Sequence, residues 1–400
     1  MMNDPFVGVA LASFDLACGI QILEKWFAKG DPAEGSLESL FRLLLANVHR
    51  QKDNAYSSYV TSIIELQSYN WYVVATLFSI TQNQRKTFYA LTLILDTHHI
   101  PNYRNSIKIL SQHSLYLAAA AKSSFTNNFP LKKLERFIQP IHQQCIDYFS
   151  SSIEQIPDFE IFPGDLRFYS LVLSSHLATQ VITIIESDDD TETYKLASFL
   201  ANFLLPNQLI HSSLKISDKI TPGLFLQCVS KQKTDIVDIF LASAHPITYV
   251  RMSERKIFTT SAPEKHLPAY KQATEASFLE DITKRRRLTA IKAQYKNQII
   301  EITAPAPWIS TMLLIVTQMP ETCHSLLCKE HFDVIMRITF ELINLIDEKT
   351  YKGINSLTPE NIGEIIKELK FTGKDDFIFF ASLAQMFEPA ISRKIPLSRR

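Results

Sequence analysis

Glycine is scarce, with only 9 in 400 residues. Phosphate-binding loops need glycine so that backbone N–H groups can close on phosphate oxygens, and neither G-x-x-x-x-G-K-[ST] nor G-x-G-x-x-G occurs, which excludes the usual nucleotide cradles. Cysteine is also sparse. Cys18, Cys145, Cys228, Cys323 and Cys328 are odd in number and scattered, which fits free thiols in a reducing compartment and not a disulfide framework. Net charge is missing too: Lys+Arg and Asp+Glu are both 41, so no global field draws in nucleic acid or an anionic membrane, and only local patches remain. Apolar runs such as "WISTMLLIVTQM" fall short of the ~20 residues of a membrane span. Asp15 interrupts the early apolar run, and no basic segment or small-residue cleavage site frames it, so no signal peptide is expected. The expectation is a soluble, cytoplasmic protein. What the chain does have is core: 46% hydrophobic residues against 20% charged, with 26 Phe and 14 Tyr. That composition excludes general disorder, and the length suggests two domains.

The opening stretch "VGVALASFDLACGIQILEKWF" predicts two strands, Val7–Phe14 and Ile20–Phe27, with Asp15 and Gly19 supplying the turn. "LESLFRLLLANVHRQ" places Leu37, Leu40, Phe41, Leu44 and Val48 on one helical face. "YSSYVTSIIELQ", "NWYVVATLFSIT" and "KTFYALTLILD" read as three strands, and a helix follows over Asn105–Lys122. The order strand, strand, helix, strand, strand, strand, helix specifies an antiparallel sheet with helices packed on it, over residues 1–125. Residues 126–164 read as a connector, with one helix interrupted by Pro140. Residues 165–262 alternate helix and strand: "DLRFYSLVLSSHLAT" is helical, "QVITIIE" is a buried strand, "SDDDTETYKLASFLANFLLP" is an acid-capped helix, and "GLFLQCVSK", "DIVDIFLASA" and "ITYVRMS" are strands. Residues 263–400 are mostly helical, broken by "NQIIEIT" and "PAPW". The fold class is α+β.

Five clusters invite a chemical reading. In "CHSLLCKEH", His324, Cys328 and His331 sit at i, i+4 and i+7 beside Cys323, which could hold zinc; no fourth ligand is near, and the spacing matches no finger or knuckle. His98 and His99 are adjacent and diverge if extended. Ser175 and His176 are neighbours on a helix and do not face one another, and no G-x-S-x-G elbow exists. Lys284, Arg285, Arg286, Arg287 and Lys292 could dock on nucleic acid or acidic lipid, but a short run with no interleaved aromatics reads more simply as a solvated helix end or loop, where cations suit the carbonyl dipole. Ser187–Glu192 could bind a cation but reads as a set of helix caps. No catalytic side chain, cofactor site or metal site is assigned; by residue chemistry this is a two-domain interaction protein.

The arrangement carries more than any motif. "GVALASFDLACGIQI", "FYALTLIL", "SIKILSQHSLYLAAA", "LVLSSHLATQVITII", "LASFLANFLLP", "PGLFLQCVSK", "ELINLIDEKT" and "LAQMFEPAI" follow in an order that resembles the longin–DENN family of the neurodegeneration-associated protein named after chromosome nine open reading frame seventy-two, as a divergent and shortened member. The resemblance implies a longin domain (1–125), a connector (126–164), a DENN α/β part (165–262) and a DENN helical part (263–400). It also implies regulation of small GTPases of Rab or Arf type in membrane traffic, autophagy and lysosomal signalling. The chain would act as an exchange factor or as the non-catalytic subunit of a GTPase-activating complex. The implied partners are a second longin–DENN protein and a small GTPase, with no nucleic acid and only indirect association with endosomal or lysosomal membranes.

GTP hydrolysis is accelerated chiefly by an arginine finger. In the related assembly that arginine belongs to the partner, and Arg42, Arg50, Arg85 and Arg104 match no such motif. Exchange factors act by preferring the nucleotide-free GTPase and need no catalytic side chain. The pairing surface expected here is the edge strand within Tyr56–Ile64, with Tyr59, Thr61 and Ile63 as the interface residues, unless an intramolecular element covers it. The runner-up functions are a structural adaptor of an endosomal or lysosomal complex and, last, a zinc enzyme centred on Cys323–His331.

Overall fold

The computed structural model describes residues 4–15, 18–28, 35–45, 59–82, 85–99, 106–126, 130–157, 163–179, 182–261, 263–278, 281–350 and 356–395, with Gly30, Pro32, Phe159 and Ile161. The chain divides into two units, one of residues 1–151, 221–223 and 269–292, the other of 152–220, 224–268 and 293–400.

In the first unit the opening alternation becomes a hairpin of β1 (Phe6–Asp15) and β2 (Gly19–Phe27), with a register shift at Leu11/Ala12. Gly8 has no room for a side chain, because a Cβ there would lie 2.4 Å from both the Trp26 carbonyl oxygen and the Phe27 ring. Then come α1 (Ser36–Leu45), β3 (Val60–Leu66), β4 (Trp71–Gln82), β5 (Arg85–Asp96), α2 (Ile107–Thr126) and α3 (Glu135–Ser150). The five strands form one antiparallel sheet, as the sequence predicts, and the structure gives its order as β2-β1-β5-β4-β3. Strand parity divides it into two faces. One carries Ala10, Ala12, Val73, Ala75, Leu77, Ala90 and Ile94 and packs on Leu37, Leu40, Phe41, Leu44 and Leu45 of α1. Each such burial contributes about 1.5–3 kcal/mol, which holds a helix too short to persist alone. Val48, expected on the same stripe, lies outside the described residues.

The other face meets α2. Thr76 Oγ1 lies 2.8 Å from Ser114 Oγ, which donates onward to the Val74 carbonyl at 3.2 Å. α3 runs through Pro140 without ending there and buries Ile138, Ile141, Cys145 and Tyr148. Residues 269–292 complete this unit. Phe278 makes edge-on contacts with Tyr116 of α2 and Phe137 of α3 at centroid distances of 5.0 and 4.9 Å, and the Ser123 hydroxyl donates to the Phe278 carbonyl at 3.1 Å.

The second unit is built from α4 (Leu166–Ala178), β6 (Thr183–Glu186), α5 (Asp190–Ala201), α6 (Pro206–Leu209), β7 (Ile216–Ser217), β8 (Leu226–Val229), α7 (Ile236–Leu241), β9 (Thr248–Arg251) and β10 (Lys256–Thr260). After α8 (Pro263–Ser277) and α9 (Asp281–Lys296) it continues with β11 (Ile299–Glu301), α10 (Pro307–Thr317), α11 (His324–Thr350), α12 (Pro359–Glu368), α13 (Lys374–Ala384) and α14 (Ile391–Lys394). Its sheet has the order β11-β10-β9-β6-β8-β7, parallel from β7 through β9 and antiparallel beyond. β6 and β8 are buried along their whole length, as strands of a parallel sheet must be.

Two expectations are corrected here. "DIVDIFLASA" is not a strand: it holds α7, capped by Asp235, whose carboxylate accepts from the Val237 N–H at 3.0 Å. A short apolar run does not distinguish strand from helix by periodicity, and the cap decides it. β10 was not anticipated. It pairs back on β9 through a turn closed by Arg255 at φ 51.

Candidate functional site

β3 forms one edge of the first unit's sheet. Among the described residues it pairs only with β4, in register from Val60↔Leu77 to Leu66↔Trp71 without a bulge. Proline and bulges are the usual guards of an edge, and β3 has neither along its seven residues. The opposite edge, β2, carries the bulge and is flanked by α1. Val60, Ile64 and Leu66 of β3 turn toward the α1 core. Thr61 stands opposite Thr76 and Ile63 opposite Val74, on the face that α2 occupies nearer the sheet centre. At this margin Thr61 and Glu65 are exposed and Ile63 is 40% exposed.

Tyr59 shares that parity but not that exposure. It is buried, its ring 6.0 Å from Phe78 and 4.9 Å from the Lys122 ammonium. Burial, with the Glu275 carboxylate nearby, pushes its phenol well above the usual range. The expected triplet therefore splits: Thr61 and Ile63 lie open at the edge, and Tyr59 anchors the start of the strand. Tyr56, Ser57 and Ser58 lie outside the described residues.

A feature that sequence reasoning missed is a cleft of about 530 Å³ lined by Phe14, Gly19, Ile20, Ile22, Glu38 and Arg42. Its walls come from the hairpin and from α1, so no local motif announces it. Arg42 is largely exposed and pairs with Glu38 at 3.5 Å, one helical turn away. Arg50 and Arg104 lie outside the described residues, as does the side chain of Arg85.

The other clusters have structural partners. His324 is buried with Nε2 3.0 Å from the Met319 carbonyl, Cys328 is fully buried with its thiol pushed up to about 12, and His331 is only partly covered. Among the described residues no group of three or more His, Cys, Asp or Glu side chains is placed to hold a metal ion. Ser175 and His176 point to different strands, Ser175 Oγ to Thr248 Oγ1 and His176 Nδ1 to Thr183 Oγ1, each at 2.8 Å. His98 pairs with Asp96 at 3.2 Å. Asp189 accepts from the Thr191 and Glu192 N–H groups, so the acidic run does cap α5. At the carboxyl end of the parallel strands the buried Glu186 carboxylate accepts from the Tyr249 hydroxyl and from the Gln232 N–H at 2.9 Å, with Arg251 Nε 3.6 Å away. That acid is fully engaged. No described helix is long and apolar enough to cross a membrane.

Among curated proteins none matches this chain. A family model described as the C9orf72-like protein family matches residues 39–266, which run from α1 through β3, β4 and β5 and on through β10 into α8. With more than half of its length matched, the chain belongs to the C9orf72-like protein family.

Proposed function

We infer that the chain is a longin–DENN regulator of a small GTPase of Rab or Arf type, working in membrane traffic, autophagy and lysosomal signalling from the cytoplasm at endosomes or lysosomes. The first unit serves as the longin domain and the alternating and helical parts of the second as the DENN module. The family match over residues 39–266 carries this reading. In the pairing we infer, the β3 edge adds to the sheet of a second longin–DENN protein. Backbone hydrogen bonds supply affinity there, and Thr61 and Ile63 supply side-chain complementarity. The chain contributes a binding surface for the GTPase. Turnover changes through the partner's arginine in a GTPase-activating complex, or through preference for the nucleotide-free state in exchange.

The test is affinity purification of the tagged chain from its native cell, followed by exchange and hydrolysis rates on any GTPase recovered. A second longin–DENN chain and a small GTPase are expected in the eluate. Ile63→Asp is expected to reduce recovery of the partner at least tenfold while leaving the melting temperature of the isolated chain unchanged. A chain that elutes alone overturns the reading. Recovery of a partner with no effect on either rate replaces it with the structural adaptor.

A further inference from the structure

The basic run of α9 is not where a structural explanation needs it. Cations that compensate a helix dipole belong in the last turn. α9 begins at Asp281, so Arg285, Arg286 and Arg287 occupy its N-terminal half, and Lys296 alone stands in the last turn. Arg285, Arg286 and Arg287 are all exposed. Arg287 has a long contact to Glu275 at 3.9 Å, and no ion pair joins Arg285 or Arg286 to a described residue. Three consecutive like charges repel one another, and among the described residues only the long Arg287–Glu275 contact offsets them. The expectation of a solvated run is met by the exposure of all three arginines, but its placement at a helix's carboxyl end is corrected to the N-terminal half of α9.

The surface beside these arginines narrows the choice of ligand. Thr289 and Ala290, one turn on, are exposed and short, while Leu288 is partly covered and Ile291 is buried. Among the described side chains, the exposed face from Arg285 to Ala290 thus holds no large apolar group to anchor a protein interface and no aromatic ring on which a base would stack. It holds guanidinium forks, which match phosphate geometry, above a low shelf that lets the helix lie close to a flat anionic surface. In a chain whose formal charge sums to zero, such a patch acts locally, by adsorption within a Debye length.

We propose that the N-terminal half of α9, through Arg285, Arg286 and Arg287, docks directly on the anionic phospholipid headgroups of a membrane. This differs from the purely indirect membrane association implied by the family resemblance, and it stands or falls independently of the GTPase reading. Adsorption is electrostatic, without insertion, so it adds a weak, salt-sensitive contact that orients the first unit against the bilayer.

The experiment is co-sedimentation of the full chain with vesicles of phosphatidylcholine alone and of phosphatidylcholine with phosphatidylserine, at low and high salt. Binding is expected to the anionic vesicles only and to vanish at about 1 M salt, where the Debye length falls to about 3 Å. Each basic residue near such a surface contributes about fivefold in affinity, so the double variant Arg285→Gln, Arg286→Gln is expected to lose about 30-fold. Both side chains are exposed and have no ion pair among the described residues, so its thermal unfolding should match the wild type. Neutralising two exposed cations elsewhere, Lys329→Gln with Lys367→Gln, is expected to leave binding unchanged. The proposal is overturned if the chain ignores anionic vesicles, if both double variants lose binding equally, or if the patch retains an RNA duplex or an acidic polypeptide and not the vesicles.

Discussion

His176 should make the second unit acid-sensitive. Its ring is fully buried under α4, with Nδ1 2.8 Å from Thr183 Oγ1 and Nε2 without a partner among the described residues. A neutral imidazole tolerates this; an imidazolium would carry two N–H donors and a charge into a site with one hydroxyl. Burial accordingly lowers its pKa from 6.5 to about 3. The unfolded chain takes up the proton first, so the folded state keeps its full stability above about pH 6.5 and loses it progressively as the pH falls toward 3. At about pH 5 the deficit is 1.5 units, and at 1.36 kcal/mol per unit this single ring costs about 2 kcal/mol. Against a typical stability of about 5–15 kcal/mol that is a measurable share. His176→Gln keeps a polar group beside Thr183 and removes the titration. Equilibrium urea unfolding between about pH 5 and 7.5 should show wild-type stability falling about 2 kcal/mol more than the variant's, whatever the variant's baseline. Equal slopes in the two proteins would refute the argument, because they would mean that the ring charges as easily folded as unfolded.

Other outcomes follow from the packing. Gly223 sits at φ 90, and an added Cβ would lie 2.5–2.6 Å from three Ile109 side-chain atoms. Gly223→Ala should therefore destabilise the first unit by about 2–4 kcal/mol in denaturant unfolding, from left-handed strain plus overpacking. Asp376 is fully buried and accepts from the Trp308 N–H at 2.8 Å and the Thr372 N–H at 3.0 Å. Asp376→Ala leaves those donors unsatisfied, costs about 3 kcal/mol and should lower the melting temperature by roughly 6–12 °C in calorimetry. Under a thiol-reactive dye, exposed Cys18 should label at once in the native protein. Cys145, Cys228 and Cys328, buried with thiols pushed up to about 12, should label only on unfolding.

The first sheet was legible because Val, Ile, Thr and aromatic residues alternate along five strands with turn residues between them, and each local signal agrees with the next. α7 was misread because "DIVDIFL" is too short for periodicity to show, and the deciding contact is one side-chain cap. β10 escaped because "KIFTT" becomes a strand only by pairing with β9. At the candidate edge Tyr59, Thr61 and Ile63 share one strand parity, but parity does not say where a covering helix stops. Lys122 of α2 reaches Tyr59, while Ile63 remains open. The place of residues 269–292 in the first unit was beyond any local reading, since it depends on Phe278 meeting Tyr116 across some 160 positions.

That last contact sets a timetable for synthesis. The sheet and α2 precede residue 278 in the chain and can assemble as they leave the ribosome, but Tyr116 and Phe137 wait for the aromatic ring of Phe278, more than 140 residues beyond Phe137. Until residue 278 has cleared the exit tunnel, the outer side of α2 is an unfinished apolar surface on a nascent chain. During that interval it is a natural target for chaperones, and a ribosome stalled between α2 and α8 would release a fragment with its sheet formed and this surface uncovered.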